Sequence, residues 1–566
     1  MANRVEGASM ILKKARVLVW VAVFGLAAAL DSGVRAAEVY PGCAEPGPVG
    51  KIWYVDSVHG KTPADGGNGS QTAPWNSLSG VVSSTKQPGY PQPMLSTIPY
   101  DHYPRKNAEG ARIYADGPSA DPTRVQPGDE ILLMSGQYGD VAIGIYGVQT
   151  NNPAFVTIAA APGETPVLAT LRVAAANMWR FQHISVKSIG NNSAIMVTNQ
   201  GPLTTSDIIF ESVAVGSPES VDDWSQADWR AKAHRIGLQE VSGPGGVYTK
   251  CISFTGGALY GVGFGVNLFA HNSIFAHNTI DHFGDDGLDY AANNLIIKDN
   301  YVHDNQDIGD GNHEDCMQGF IGPLDKTIAL KNPKGVAYNA FSNILIESNR
   351  CIRQTDPNLK YPTNFQGIDA FDSDWTNIRV VNNVVVTSAC WGIAYASVHG
   401  GMIINNTVLD DGSNVGNKNA AGQVMCLPWV GVGNATHEGL SSNDVTVRNN
   451  IGPAYRMDGV APSVTMDHNI CVAVDGKGQI ITSVRGKMKT VVKPGVYGDR
   501  NTIDRRDASA MFVDFDPTKY VFDLRLKPGS LAIGTGNPKD APSVDITGAP
   551  RGSKIDIGAY QYAPGK

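Results

Sequence analysis

Charge is scarce in this chain. Asp, Glu, Lys and Arg make up only 17% of the residues, and the balance is acidic, with a formal net charge of -8. That balance argues against a nucleic acid or an anionic membrane as partner, since either calls for a basic face. Long apolar runs are equally scarce: beyond the first 37 residues no stretch is long and apolar enough to cross a membrane. CxxC pairs are absent among the seven cysteines. An odd cysteine count in an exported chain hints at disulfides with one thiol left over.

The single apolar run, Val17 to Leu30, follows Lys13, Lys14 and Arg16 and precedes Val34-Arg35-Ala36. This pattern predicts a secretory signal peptide over residues 1–36, since the run falls short of the roughly 20 residues of a bilayer span. The mature protein is expected to be secreted or periplasmic, with no membrane or nucleic-acid partner. About 530 residues remain, enough for several domains or one elongated repeat architecture. Sixty-three glycines, with plentiful Asn and Val, favour many short strands and tight turns.

Five segments share one pattern: NSIFAHNTI from Asn272, NLIIKDNYV from Asn294, NILIESNRC from Asn343, NIRVVNNVV from Asn377 and GMIINNTVL from Gly401. Aligned on the second Asn, they put Asn278, Asn300, Asn349, Asn383 and Asn406 in one column, with steps of 22, 49, 34 and 23 residues. A unit of about 22 residues with insertions marks a solenoid whose coils bury their apolar faces only by stacking. The asparagines read as structural, because Asn accepts left-handed backbone at a bend and stacked amides bond to one another. Two residues further on, Ile280, Val302, Cys351, Val385 and Val408 form a column expected to point inward. Cys351 reads there as a small apolar residue rather than a disulfide partner.

Polar residues and glycines recur between these segments, as GDDGLD from Gly284, HEDCMQGF from His313 and FQGIDAFD from Phe365. With Gly287, Gly319, Gly367 and Gly392 taken as one column, Asp286, Gln318, Gln366 and Trp391 form the column before it. Period-two alternation sends these side chains to one face, where the carboxylates are expected to form an exposed stripe.

The segments Arg124 to Asp140 (RVQPGDEILLMSGQYGD), Ile546 to Tyr562 (ITGAPRGSKIDIGAYQY) and Trp53 to Leu78 resemble the opening and closing parts of bacterial pectate-lyase-like proteins. That resemblance implies an all-β, right-handed parallel β-helix with loop insertions. It divides the mature chain into an N-terminal segment and cap at 37–123, the helix at 124–535 and a closing segment at 536–566.

A glycosidic bond is cleaved by a carboxyl pair, one acting as acid and one as base or nucleophile. Rungs about 4.8 Å apart bring Asp286 and Asp289 of one coil near Glu314 and Asp315 of the next. Crowding of this kind raises at least one pKa, as a general acid needs. DDGLD followed by EDC resembles the NTDGFD and DDC motifs of polygalacturonase-type glycoside hydrolases. The resemblance implies inverting hydrolysis, with no cofactor, by Asp286 and Asp289 from the first motif and Glu314 and Asp315 from the second. That family's later GHG and RIK motifs are absent.

The same DDGLD resembles the DD-x-x-D calcium site of a family of β-helix pectate lyases, which implies calcium held by Asp285, Asp286 and Asp289 and a Lys or Arg base. Where those lyases carry their lysine this chain has Ile321, leaving His313, Lys326 or Arg350 as candidate bases. His313 reads either as a hydrogen-bonded loop residue or as an acid–base or orienting group. The acidic loop from His303 to Asp315 is a second place for calcium.

Trp391 falls in the outward column and suits stacking on a sugar face, unless the insertions at 322–341 or 411–440 cover it. Tyr395, Gln318, Gln366 and Asp369 complete the candidate substrate-binding set. The expected function is cleavage of an extracellular polysaccharide or oligosaccharide, by hydrolysis in preference to calcium-dependent elimination or epimerisation. The rival from another class is a non-catalytic glycan-binding surface protein.

Overall fold

A computed structural model describes residues 38–80, 83–85, 94–96, 103–106, 112–115, 125–144, 149–241, 247–332, 335–413, 426–433, 441–472, 501–504 and 508–564. The expected signal peptide lies outside them. The described chain is a right-handed parallel β-helix with three faces. The first face climbs from Ile52–Val55 through Glu130–Leu133 to Thr465–Asp467. The second includes Thr279–Phe283, Tyr301–His303, Arg350–Ile352, Val384–Thr387 and Thr407–Asp410. The third includes Leu288–Tyr290, Asp315–Gly319, Gln366–Ala370, Trp391–Ala396 and Trp429–Gly433.

Alternating side chains point inward and stack coil upon coil. On the first face Phe181, Phe210, Phe254 and Phe275 form a column of rings 5.3 to 5.7 Å apart. On the second, Ile280, Val302, Cys351, Val385 and Val408 are direct register partners and fully buried, as the repeat predicts. Cys351 corrects one expectation: it is disulfide-bonded to Cys316. Cys316 lies on the third-face strand of the preceding coil, so the bond crosses the interior between two faces. Cys43–Cys251 and Cys390–Cys426 are also joined, leaving Cys471 as the free, buried thiol.

The asparagine ladder forms at the corner between the first and second faces. Asn349 Oδ1 accepts both the backbone N–H of Asn300 (3.0 Å) and its side-chain amide (2.9 Å). Asn383 does the same for Asn349, and Asn406 for Asn383. The ladder continues through Asn450, Asn469 and Asn501. The left-handed backbone falls one residue earlier than expected, at His277, Asp299, Ser348, Asn382, Asn405 and Asn449. That residue turns the corner, and the turn aims the following Asn inward.

Loops between the second and third faces build a wall. Ser225 caps the short helix Gln226–Lys232, which packs Trp224 and Trp229 against Ile308 of the loop at 304–314. Lys360, from the loop after that, donates to the Trp224 carbonyl (3.1 Å). On the upper coils the C-terminal residues cover the second face: Ile352, Val384, Leu409 and Ile451 are buried beneath Phe512, Leu524, Ile557 and Tyr560.

Candidate active site

The bend from the second face to the third passes through Gly284–Gly287. A Cβ on Gly287 would stand 2.7 Å from the Cys316 carbonyl oxygen and 2.7 Å from Val302 Cγ1, so the tight turn needs glycine. It leaves Asp286 and Asp289 close enough for their charges to act on one another. In the next coil the Asp315 N–H donates to Asp286 Oδ1 (2.7 Å), which sets Asp315 beside Asp286.

The register differs from the sequence expectation. Gly287 stacks on Cys316, and Gly367 on Gly392, whereas Gly319 pairs with Tyr290 and Ala370. Gly319 therefore belongs three residues further along the strand, where it makes room for Ala370 and Trp375. Two polar columns result. Asp315 pairs with Gln366 beside Asp286, and Asp289, Gln318 and Asp369 are successive register partners.

The acids are not an exposed stripe. Asp286 is 3% exposed, Asp289 6%, Glu314 5%, and Asp315 and Asp369 not at all. Side chains one rung apart lie on one another and exclude water between them. Burial, then the charges of Asp315, Asp289 and Asp285, raises Asp286 well above the usual carboxylate range. Asp289 rises for the same leading cause, followed by Asp315 and Asp285. Asp369 rises by burial and by its hydrogen bond and proximity to Asp315. Burial and the neighbouring Asp307 and Asp285 lift Glu314 to about 8, and Asp285 rises to about 6, chiefly by burial. Burial and crowding thus favour the protonated forms in this column.

Asp315 is ringed by donors. His313 Nδ1 lies 2.8 Å and Gln318 Nε2 3.3 Å from its Oδ2. The Gln366 amide nitrogen faces its Oδ1 (2.8 Å) and Asp369 Oδ2 (3.3 Å). The hydrogen bond to Asp315 leads in raising His313, whose side chain is 57% exposed. Oδ1 of Asp289 and Oδ1 of Asp369 are buried without a hydrogen-bond partner.

The calcium set Asp285, Asp286 and Asp289 is not the one whose ligand atoms converge. Asp286, His313 and Asp315 offer atoms within 4.8 Å of one another, while Asp285 turns to Asn312 (2.6 Å). In the acidic loop, Asp307 and Asp310 accept N–H groups of the loop itself. Arg350 stands apart from the acids, on the second face between Tyr301 and Val384.

Tyr395 is corrected from substrate contact to core. It is fully buried in the column of Gly319 and Ala370, with its hydroxyl 2.8 Å from that of Tyr290. Trp391 is half-buried, edge-on to Phe371 at 5.8 Å and paired in register with Trp429. The 322–341 insertion returns as a hairpin on the first-face strand Ala337–Glu347, and much of 411–440 lies outside the described residues. Sequence reasoning missed Phe371 and Trp429, although one further rung on the Trp391 column would have reached Trp429.

No protein-family model matches the chain, and no curated protein matches it. Among solved structures it is similar to the pectate lyase Pel9A, at 15% identity and a TM-score of 0.35, over 92% of this chain and 98% of that one. It is also similar to PfbA, a surface adhesin of Streptococcus pneumoniae (8% identity, TM-score 0.34, 61% of this chain and 79% of that one). A third is the catalytic unit of a thermostable GH87 alpha-1,3-glucanase from Streptomyces thermodiastaticus strain HF3-3 (13% identity, TM-score 0.29, 75% and 69%).

Proposed function

We propose that this protein cleaves an extracellular polysaccharide by hydrolysis at the acid column. The observation that carries the reading is the contrast within that column: Asp286, Asp289 and Asp369 are pushed toward the protonated form, while donors surround Asp315. Asp286 Oδ1 accepts the Asp315 N–H, so the proton of a neutral Asp286 sits on Oδ2. There it is placed to protonate a glycosidic oxygen, the task of a general acid. Asp315 supplies the partner carboxylate, and His313 is the exposed group through which a proton returns from solvent. Asp369 positions Asp315 from the coil above. The three disulfides accord with export to an oxidising compartment.

A second reading rests on the partnerless oxygens of Asp289 and Asp369. The ligand atoms of Asp286 and Asp315 converge beside that of His313, and carboxylate oxygen is the donor that calcium prefers. Bound calcium would neutralise a uronate carboxylate, as elimination or epimerisation requires. In that case His313, beside Asp315, takes the proton.

One assay separates the readings. The purified protein is incubated with a panel of neutral and acidic polysaccharides, and both new reducing ends and ultraviolet-absorbing unsaturated ends are measured. Hydrolysis gives reducing ends alone and survives a chelator. Elimination gives both and is silenced by one. Binding without either product points to the glycan-binding rival.

A further inference from the structure

A second cluster of titratable side chains, which no motif announces, stands on the second face. Asp281 and His282 lie on Thr279–Phe283, and His303 and Asp304 lie at the end of the strand above. Asp281 and His303 are direct register partners, and none of the four is more than 8% exposed. His282 Nδ1 lies 2.5 Å from Asp281 Oδ1. His303 Nδ1 lies 3.4 Å from the same oxygen and 2.7 Å from Asp304 Oδ2. Ligand atoms of Asp281, His282 and Asp304 all fall within 4.8 Å of one another.

Two features set this group apart from ordinary buried ion pairs. Two imidazoles and two carboxylates from consecutive coils converge, and Asp281 Oδ2 is buried without a hydrogen-bond partner. An anionic oxygen left so in the interior is costly, and a cation is the group that relieves it. The surroundings are also those of ligands held from behind. Asp304 accepts from the Thr355 hydroxyl (2.5 Å) and from the backbone N–H groups of Thr355 (2.6 Å) and Asp356 (2.8 Å). His282 turns Nδ1 to the cluster and Nε2 toward Asp356 Oδ2 at 3.8 Å. A carboxylate behind an imidazole fixes its tautomer and aims its other nitrogen at a metal. The Tyr301 ring stacks on His303 at 4.1 Å.

We propose that Asp281, His282, His303 and Asp304 bind one divalent transition-metal ion. Mixed imidazole and carboxylate donors in a close-set group select zinc or a neighbour in the first transition row over calcium. The ion is structural. Through Asp304 and His282 it fastens Thr355 and Asp356, and with them the start of the loop that reaches across to Trp224. It thereby sets the wall beside the acid column.

The test uses the mature, full-length protein dialysed into metal-free buffer and titrated with cobalt(II) chloride. The expected result is a visible absorption of four-coordinate cobalt that saturates at about one ion per chain and is displaced by zinc. Asp281→Asn and His303→Gln are each expected to weaken binding by about 100-fold or more, given that even groups behind a ligand cost 10- to 100-fold. Asp286→Asn, in the acid column, is expected to leave it unchanged. Circular dichroism confirms that each protein is folded. A folded parent protein with no saturating cobalt signal overturns the proposal, whether or not the variants fold. So does a signal that persists in folded Asp281→Asn and His303→Gln, or one that disappears in Asp286→Asn.

Discussion

At the corner between the first and second faces, Asn300, Asn349 and Asn383 stack coil on coil. At the corner between the second and third, Asp286, Asp315 and Gln366 do much the same. Both are columns of buried polar side chains one rung apart, yet they end in different states. An amide carries donor and acceptor, so each Asn oxygen takes the N–H groups of the coil below and the column satisfies itself. A carboxylate carries acceptors alone. Its column is completed only by protons, by His313 and the Gln318 and Gln366 amides, or by a cation. The same backbone geometry thus yields a fastener in one place and a reservoir of displaced pKa values in the other.

The largest expected effect comes from breaking the fastener. Asn349→Leu leaves the Asn300 backbone N–H without its acceptor and removes the side-chain bonds to the Ile297 carbonyl and from the Asn300 amide. At about 1–3 kcal/mol for each buried group so stranded, the loss of stability should be about 3 kcal/mol. Urea denaturation measures it. The activity of the folded fraction should stay at the parent level. A loss below about 1 kcal/mol would show that a cheaper arrangement replaces the ladder.

Asp286→Asn probes the other column. The substitution keeps the shape and the acceptor for the Asp315 N–H, and it brings a donor among acceptors, so the protein should fold at least as well as the parent. Activity should fall by about a hundredfold or more, the usual cost of losing a general acid. Full activity toward the identified substrate would remove the acid column from the chemistry.

The two columns should also differ in their response to pH. Glu314 is raised from 4.5 to about 8 and Asp285 from 3.8 to about 6. Their folded-state pKa values lie above the unfolded ones, so their contribution is fully present below about pH 4 and is lost as pH rises through 6 to 8. The denaturation midpoint should therefore be lower at pH 8 than at pH 5, and Glu314→Gln should flatten the slope. Asparagine does not titrate, so Asn349→Leu should shift the whole curve without changing that slope.

The ladder was legible in the sequence because each Asn recurs at a fixed offset within an apolar alternation that admits one register. The third face was not, because its glycines do different work: Gly287 accommodates a carbonyl of the next coil, Gly319 the side chains of Ala370 and Trp375. Read as equivalent, they displace the register by three residues and hide Asp315 from its place beside Asp286. Tyr395 follows from the same difficulty, since a residue's inward or outward sense is fixed only once its strand partners are known. The Cys316–Cys351 bond joins two faces across the interior, a proximity no local pattern encodes. Burial of the acids was hidden for a further reason: alternation tells which side of a sheet a side chain takes, and not what its neighbours above and below cover.

The smallest effect tests what lies beyond the acids. Trp391 stands in register with Trp429 and edge-on to Phe371, and Phe371 in turn lies 6.5 Å from Trp429. Trp429 is 3% exposed and belongs to the packing, whereas Trp391 keeps part of its ring in solvent. A sugar bound along the third face would meet that ring one rung above Gln366 and Asp369, where stacking is worth about 1 kcal/mol. Trp391→Ala should raise KM or Kd about fivefold to thirtyfold, the equivalent of 1–2 kcal/mol, while kcat changes little because no reacting atom is touched. Trp429→Ala is the control, since removing a buried ring should lower the melting temperature and leave the affinity of the folded fraction nearly intact. If Trp391→Ala instead melts early with unchanged affinity, the aromatic pair is a seam of the core, and the sugar lies on another part of the groove.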